Sequence, residues 1–407
     1  MCIRDRDAKI LLSICKLLLA GFLMFPALCL AADEAPIGSA KSKEMTGLRL
    51  GALEIHPFLT LRETYSDNIY LTTNDRKHDF ISTIMPGLQL QLPFRRHMVT
   101  VGGSATINRY AKYNSENTED WTAYGAGDLN FGSRINLKLS DTYIAGHEPR
   151  SQSATTSLEK YRNNTASGSL TYVMADISKL QIDYANNYWK YSNSDFRSRV
   201  ENQAALYLYY RVMAKTSLFG EYELKNVNFT SNVMGLDNKV HNGLLGLTWE
   251  LSSRSKGTIK GGYLYKEFDQ KANGNFSTFA ASVDVSHYFS DYDSIKLSSA
   301  RVVNESSLQG TRYSISTGIN GEYTHRFLDR LSTSLKGSYS GENFSNTAPG
   351  DLQLRKDTVV QFGASVQYAF RKWLDCSLDY YWRSKNSNIN YYDSTENNIS
   401  LALKAFF

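Results

Sequence analysis

Apolar and polar residues alternate along most of this chain, from Leu53 to Phe407. Between Leu374 and Arg383, every second residue is apolar or aromatic, and the residues between them are Asp, Ser, Tyr or Arg. Successive side chains of a strand point to opposite faces, so the pattern predicts strands with one apolar and one polar face. Each alternating segment has ten to fourteen residues and is followed by a turn. A tilted strand needs about 9–11 residues to cross a bilayer, so each segment is long enough to span it.

The connections between these units are alternately short and long. The short turns are predicted at 93–97, 132–134, 174–177, 212–215, 252–255, 289–293, 326–330 and 371–373. This alternation predicts an all-β fold, a transmembrane up-and-down antiparallel β-barrel of about eighteen strands. Sixteen strands remain an alternative, because Pro57 and Pro86 interrupt the first two strands. An even number lets the last strand pair with the first and leaves no open edge in lipid.

A soluble β-sandwich also alternates, because one face of each sheet packs on a core. Its strands usually have about 5 or 6 residues, fewer than the units in this chain. Aromatic residues also gather near the ends of the predicted strands, which is typical of the girdles of a membrane barrel. The predicted girdle residues are Tyr110, Tyr113, Trp121, Tyr124, Tyr188, Trp189, Tyr191, Tyr209, Tyr210, Tyr391 and Tyr392.

The last predicted strand carries a separate signal. One of its faces is apolar from Ile399 to Ala405, and the chain stops on Phe407. The strand resembles the terminal strand by which outer-membrane proteins are recognised by the barrel-assembly machinery. An ordinary half-buried edge strand is the alternative, since alternation alone is common.

The first 32 residues form a segment of a different kind. The apolar run 10–30 follows Lys9 and precedes two alanines, which is typical of a secretory signal peptide. A retained transmembrane helix is disfavoured, because Lys16 and Pro26 leave fewer than the roughly 20 apolar residues of a span. Residues 1–7 carry two acids where a basic region is expected, so we do not interpret them. We therefore expect a leader at 1–32, a periplasmic segment at 33–50 and an outer-membrane barrel at 51–407.

Composition agrees with this assignment. The 407 residues include 27 Tyr, 19 Phe and 27 Gly but only 7 Pro, a mixture that favours strands and turns. Three of the four cysteines fall in the leader, and Cys376 alone cannot form an internal disulfide. The formal net charge of +5 is too small to suggest a nucleic-acid partner. The expected surroundings are outer-membrane lipid.

Two stretches near the start of the barrel carry a recognisable motif, LRETYSDNIYL at 61–71 and DFISTIMPGL at 79–88. They resemble the opening of an outer-membrane β-barrel porin family that is found with bacterial exopolysaccharide gene clusters, including exosortase-linked ones. The matching residues are Tyr65, Asp67, Asn68, Asp79, Phe80, Pro86 and Gly87. The resemblance implies an outer-membrane barrel associated with making, exporting or assembling an extracellular polysaccharide of a capsule or biofilm. It carries over no catalytic residue and no cofactor.

Within this motif, Asp67 and Asn68 have side chains that bond their own backbone in turns. We favour such a turn over a calcium or sugar site, because one carboxylate is far from the roughly 6 to 8 oxygens that calcium takes.

The lumen is the expected place of function, because barrels of about 16 to 18 strands enclose an aqueous channel. Taking the polar faces as inward gives the lumen-lining candidates Arg62, Asp128, Lys138, Lys179, Asp183, Glu221, Glu223, Lys225, Asp284, Lys336, Asp375, Asp379 and Arg383. Tyrosines on the same faces, among them Tyr207 and Tyr209, would offer ring faces to a sugar chain. Alternatively, opposite charges merely pair across neighbouring strands.

The third long loop, 147–160 (HEPRSQSATTSLEK), is the candidate constriction. The third external loop of general porins folds into the pore, and by that resemblance we single out His147, Glu148, Arg150, Glu159 and Lys160. A surface loop that shields the rim is the alternative.

Catalysis is not expected. A barrel lipase needs Ser, His and a polar partner within hydrogen-bond reach, but His287 and His325 lie beside short turns without a Ser-centred motif. No metal-ligand cluster or phosphate loop is present in the sequence, and no metal is expected.

Three functional hypotheses remain open. The first is a channel for export or passage of exopolysaccharide or related saccharides. The second is a non-conducting structural barrel that docks periplasmic export proteins through its short turns and residues 33–51. The third is a general diffusion porin.

Overall fold

The structure is a computed structural model, which describes residues 47–148, 150, 158–232, 234–252, 254–306 and 308–407. The predicted leader and most of the predicted periplasmic segment lie outside the described residues. Within the described part of the chain, no helix is long and apolar enough to cross a membrane.

Nineteen strands and four single turns of 3-10 helix make up the described chain. The strands are β1 Leu48–Leu50, β2 Leu53–Ser66, β3 Asp79–Phe94, β4 His97–Tyr110, β5 Thr118–Phe131, β6 Ile135–His147, β7 Lys160–Ala175, β8 Ser178–Tyr191, β9 Arg199–Met213, β10 Thr216–Phe229, β11 Asn238–Ser252, β12 Ser255–Phe268, β13 Phe276–Tyr288, β14 Asp293–Glu305, β15 Tyr313–Leu328, β16 Leu331–Phe344, β17 Lys356–Arg371, β18 Leu374–Ser387 and β19 Ser394–Phe406. The 3-10 turns are Asn114–Glu116, Asp195–Arg197, Lys271–Asn273 and Asn390–Tyr392, all in the longer loops between strands.

The eighteen strands β2 to β19 close into one antiparallel barrel. Each strand pairs with the next, and β19 returns to pair with β2 from Asn398↔Ser66 to Phe406↔Phe58. Strand β1 adds a short ladder to the start of β2. The predicted count of eighteen is confirmed, and the alternative of sixteen is wrong.

The two prolines that made the count uncertain lie inside β2 and β3 and face each other diagonally, in the pairs Pro57↔Leu88 and Leu59↔Pro86. A proline has no N–H to give to a ladder. The β3–β4 ladder accordingly breaks at Pro86, since pairing stops at Ile84↔Ile107 and resumes at Gly87↔Ser104. The strands themselves continue through both prolines.

All eight predicted short turns join strands at one end of the barrel, and the long loops lie at the other. The barrel strands have 13 to 16 residues, more than the bilayer requires. By the usual arrangement of such barrels the short turns are periplasmic and the long loops external.

The C-terminal strand presents its apolar face outward. Ile399, Leu401 and Leu403 are each about half exposed. The Phe407 N–H donates to the Pro57 carbonyl at 2.9 Å, and its ring stacks on Trp373. The role of Phe407 as an assembly signal stays a prediction.

The opening motif fastens the seam between the first and last barrel strands. Both carboxylate oxygens of Asp67 accept hydrogen bonds of 2.7 Å from Asn397 of β19. Asn68 is fully buried and donates at 2.8 Å to the carbonyls of Thr72 and Thr395. The sequence predicts a local turn at Asp67 and Asn68. In the structure these two residues also join segments at opposite ends of the chain.

Other motif residues are structural as well. The buried Asp79 carboxylate accepts hydrogen bonds from the backbone N–H groups of Lys112 and Tyr113, which holds the next external loop. Gly87 lies under the ring of Phe58, whose Cζ atom would be 2.0 Å from an added Cβ. A side chain at this position would have to displace that ring.

One part of the barrel departs from a regular ladder. Strands β13 and β14 pair from Tyr288↔Ser294 to Ala281↔Arg301 and then separate. β13 stays paired with β12 as far as Phe276, and β14 stays paired with β15 as far as Glu305. The external end of the β14–β15 hairpin thus leaves the wall at a fork beside Ala281.

The buried apolar core lies next to this fork. Val303 packs against one buried cluster, and Tyr313 packs against a second. The first cluster is Val240, Leu244, Leu264 and Ala280; the second is Val227, Phe229, Leu236 and Phe268. A barrel around water needs no such core in its lumen, so these clusters mark the place where the chain fills it.

Candidate permeation pathway

The alternation of side chains separates the barrel wall into two faces. Large apolar side chains such as Leu245 (75% exposed) and Trp121 (58% exposed) lie on the outer face. Residues at odd and at even positions of a strand point to opposite faces, and we call this alternation parity. The thirteen lumen-lining candidates all have the parity opposite to that of the outward residues of their strands, so the structure places them on the inner face. They are Arg62, Asp128, Lys138, Lys179, Asp183, Glu221, Glu223, Lys225, Asp284, Lys336, Asp375, Asp379 and Arg383.

Several of these candidates form ion pairs or hydrogen bonds on the inner face of β9 to β12. Lys260 Nζ lies 2.8 Å from Glu221, whose side chain is almost fully buried. Lys225 lies 2.7 Å from Glu201 of the preceding strand, and Gln203 donates to Glu223 at 2.9 Å. This wall therefore carries paired charges of both signs.

The remaining candidates form smaller polar groups. Asp128 accepts hydrogen bonds from Asn130 and Asn136 and stands opposite Lys138 in the β5–β6 register. On β18, Asp379 accepts from Ser365 and Ser377, and Asp375 accepts from Gln367. Lys336 lies 3.4 Å from Glu322. Arg383 is 3.9 Å from Glu396.

Aromatic rings line the same wall at two heights. An upper aromatic cluster consists of Tyr161, Trp189 and Tyr191, with Trp189 and Tyr191 stacked at 6.1 Å. A lower aromatic cluster consists of Tyr207, Tyr209 and Phe219. The two clusters are separated by about 25–30 Å along β9, at about 3.3 Å per residue.

Cations accompany both clusters. The Arg199 guanidinium lies 5.7 Å from the ring of Trp189, and the Arg197 guanidinium lies 4.1 Å from that of Tyr191. The Lys179 ammonium is 3.9 Å from the ring of Tyr209. Each cluster thus combines aromatic rings with a cation. Tyr191 and Phe219 are buried, whereas Trp189, Tyr207 and Tyr209 keep part of their surface exposed.

The girdle assignment from the sequence is wrong for several of these rings. Trp189, Tyr191, Tyr209 and Tyr124 lie on the inner face, because each has lumen parity in its strand. Their neighbours in sequence, such as Tyr188 and Tyr210, face outward. Two adjacent aromatic residues in a strand cannot both face lipid.

The third external loop is anchored at both ends. Glu148 and Arg197 form a buried two-point ion pair, with 2.6 and 2.8 Å between their atoms. Glu159 accepts hydrogen bonds from Ser194 and the Asn193 N–H. Burial alone would lower the pKa of the Arg197 guanidinium, but the hydrogen bonds and charge of Glu148 outweigh it and raise that pKa.

The third external loop also contacts the two external loops that precede it in the sequence. Arg150 is bonded to Glu116 of the preceding external loop and lies 4.9 Å from the ring of Tyr70. His147 closes β6 and lies 2.6 Å from Asp120, and Lys160 opens β7 in an exposed position. Residues 149 and 151–157 lie outside the described residues, so the predicted inward fold of this loop stays a prediction.

A cavity of about 1180 Å³ occupies the external mouth of the lumen. Arg150 and Arg197 line it on one side, and Arg355, Asp357 and Arg383 line it on the other. The mouth is therefore polar and carries charges of both signs.

Sequence reasoning missed the role of Glu305. Its carboxylate lies 2.5 Å from the ammonium of Lys266, a fully buried side chain on the inner face of β12. The signal was a charged residue at a position whose parity predicts contact with lipid. Arg301, four residues earlier, carries the same signal.

The described residues offer little for catalysis. His325 lies 2.7 Å from Asp293, but Ser290 donates to that same carboxylate rather than to the histidine. Among the residues that the structure describes, no group of three or more His, Cys, Asp or Glu is arranged to hold a metal ion.

The whole sequence was then compared with known families. The family model described as "Putative beta-barrel porin 2" matches residues 42–407. The chain belongs to this family. The porin therefore resides in the outer membrane, and its family and fold are those of channels rather than enzymes. The resemblance seen in the opening motif is confirmed at the level of the family.

No curated protein matches the porin. Solved structures with a similar fold include the outer membrane protein opdK of Pseudomonas aeruginosa, with 10% identity, a TM-score of 0.46 and coverage of 87% of this chain and 99% of that one. OccK2 (OpdF) of the same organism has 9% identity, a TM-score of 0.48 and coverage of 88% and 98%. OccAB4 of Acinetobacter baumannii has 12% identity, a TM-score of 0.44 and coverage of 90% and 100%.

Proposed function

We propose that this porin passes saccharide chains across the outer membrane, namely exopolysaccharide or fragments of it. The observation that carries the proposal is the pair of aromatic clusters on one wall of the lumen. Pyranose rings present C–H faces that pack on aromatic rings, and hydroxyl groups that pair with charged and amide side chains. The upper and lower clusters supply both kinds of contact near the two ends of the pathway.

Paired charges favour a neutral, hydroxyl-rich solute over a strongly charged one. Glu221 with Lys260 and Glu201 with Lys225 compensate each other, so the wall between the clusters presents many donors and acceptors with little net charge. Such a wall exchanges hydrogen bonds with a passing sugar without binding it tightly, which transport requires.

Single-channel recording with a linear gluco-oligosaccharide tests the proposal. We expect transient blockade of the wild-type current, with a dwell time that reports binding in the lumen. Replacing Trp189 or Tyr207 by Ala removes a ring face, and the loss of about 1 kcal/mol of contact free energy shortens the dwell time about five-fold.

Trp121→Ala and Tyr210→Ala are the matched controls, because these rings are similar in size but lie on the outer face, 58% and 55% exposed. Their dwell times should equal that of the wild type. Equal dwell times for Trp189→Ala and wild type, or no blockade by any saccharide, contradict the proposal.

A second candidate is a scaffold that docks periplasmic export proteins. It is favoured by large apolar side chains exposed at the short turns, including Phe289, Phe327 and Leu328. Co-purification with a polysaccharide-export complex, together with a conductance no different from that of a protein-free bilayer, would support the scaffold. Liposome swelling by small sugars of every kind, without oligosaccharide blockade, would instead support general diffusion.

A further inference from the structure

The external end of the β14–β15 hairpin lies inside the barrel. Val303, Glu305 and Tyr313 have the same parity as Leu297 and Ile319, which are exposed on the outer face of these strands. Beyond the fork, however, these three side chains contact inner-face residues of β10 to β13. An outer-face side chain reaches an inner face only if its strand has moved to the lumen side of the wall.

Three kinds of contact hold the hairpin end against that wall. The Lys266 ammonium and the Glu305 carboxylate meet at 2.5 Å with almost no solvent exposure, and Asn238 donates to the second oxygen of Glu305 at 3.3 Å. The ring of Tyr313 stacks on Phe276 with 4.4 Å between centroids.

Arg301 stands at the fork itself. Its guanidinium donates to Thr278 on the inner face of β13 and to Thr317 of β15. The separated strands are therefore linked by side chains where their backbone ladder ends. The inward position is supported from the fork to the tip.

The other side of the hairpin end faces the open lumen. Asn304 and Ser316 line the cavity at the external mouth, and Asn304 donates to Ser316 at 3.0 Å. At the tip, Leu308 packs against Phe344 and Ala348 of the β16–β17 region. The hairpin end thus extends over the lumen from β10 to β16 and forms part of the lining of that cavity.

We propose that the inward end of the β14–β15 hairpin, residues 302–306 and 308–315, is a constriction that sets the size limit of this porin. The proposal concerns the channel itself and is independent of which solute passes. A loop that only shields the rim would leave conductance and size limit unchanged when it is released.

Releasing the hairpin by charge tests this assignment. Lys266→Glu replaces the ammonium that neutralises Glu305 with a second carboxyl group at a buried position, where like charges repel each other. We expect a rise in single-channel conductance and in the largest polyethylene glycol that enters the channel. The swapped variant Lys266→Glu/Glu305→Lys restores an ion pair, and both values should return to those of the wild type.

A folded Lys266→Glu barrel with wild-type conductance and size limit overturns the proposal, as does a swapped variant that stays as open as the single one. Folding is checked by the heat-modifiable migration of the barrel in detergent gels. If Lys266→Glu does not fold, Tyr313→Ala removes the stacking contact without adding charge, and it should also raise both values. Tyr339→Ala, on the outer face of β16, is its matched control, and equal values for these two variants also overturn the proposal.

Discussion

Asp67 and Asn397 are 330 residues apart in the sequence, yet both oxygens of the Asp67 carboxylate accept hydrogen bonds from Asn397. The pair joins the end of the first barrel strand to the last. A closed barrel depends on this seam, since an open edge would leave unpaired backbone groups in lipid.

Replacing Asp67 by Ala should therefore weaken closure. Hydrogen bonds to a charged group contribute about 1.5–3 kcal/mol each, so for these two we expect a loss of about 3–6 kcal/mol in unfolding free energy. Urea unfolding in lipid vesicles measures it. Asp75→Ala removes an exposed loop carboxylate and should change little. Equal stabilities for the two variants would show that the seam does not depend on Asp67.

Gly87 should not tolerate a side chain. An added Cβ would lie 2.0 Å from the Phe58 ring, and overpacking of this kind costs about 1–3 kcal/mol. Gly127→Ala is the control, because nothing lies within 4 Å of its Cβ position. Phe58→Ala/Gly87→Ala should recover part of the loss relative to Gly87→Ala, measured by the same unfolding assay. No recovery in the double variant would place the strain elsewhere.

The buried pair Glu148 and Arg197 should hold the third external loop. Removing one partner of a buried pair leaves an uncompensated charge, at a cost of about 3–5 kcal/mol. Arg197→Ala should therefore increase cleavage of the loop by added protease on intact vesicles. Lys190→Ala breaks an exposed pair with Asp195 and should leave cleavage at the wild-type rate. A loop that is equally resistant in both variants would contradict this role of the pair.

The charge balance of the lumen should depend on Lys260. Lys260→Gln leaves Glu221 and Glu223 without that cation, so the channel should become more cation-selective. The reversal potential in a salt gradient measures the shift. Lys239→Gln makes the same change of charge on the outer face near the external loops, and its reversal potential should stay near that of the wild type. A shift of the same size in both variants would mean that overall charge, rather than the lumen wall, sets selectivity.

The sequence predicts the barrel well because period-2 alternation and turn length are local properties. Leu374 to Arg383 shows both faces of a strand within ten residues, and the thirteen charged candidates share the inner face for the same reason. Adjacent rings were assigned less well. Tyr188 and Trp189 are both aromatic and near a strand end, so both are predicted to lie in the girdle. Adjacent residues point to opposite faces, however, and only Tyr188 faces outward.

The fork and the seam could not be predicted in the same way. Parity gives the face of a side chain relative to its own ladder, but it does not say where that ladder lies in the barrel. From the sequence alone, Glu305 is a charged residue at a position predicted to face lipid. The structure explains it, because Lys266 lies beside it. The partner of Asp67 is likewise defined only by closure, which brings the two ends of the chain together.

The fork also bears on how the barrel sits in its membrane. Above Ala281, the edge of β13 that faces β14 has no ladder partner, and each unsatisfied backbone group in hydrocarbon costs several kcal/mol. Beside β13, the outer boundary of the hydrocarbon layer must therefore lie on the periplasmic side of the fork. Elsewhere around the barrel the strands are paired to their external ends, and there the boundary can lie closer to the external loops. The porin meets this condition if the outer leaflet is locally thinner beside β13 or if the barrel axis is tilted away from the membrane normal.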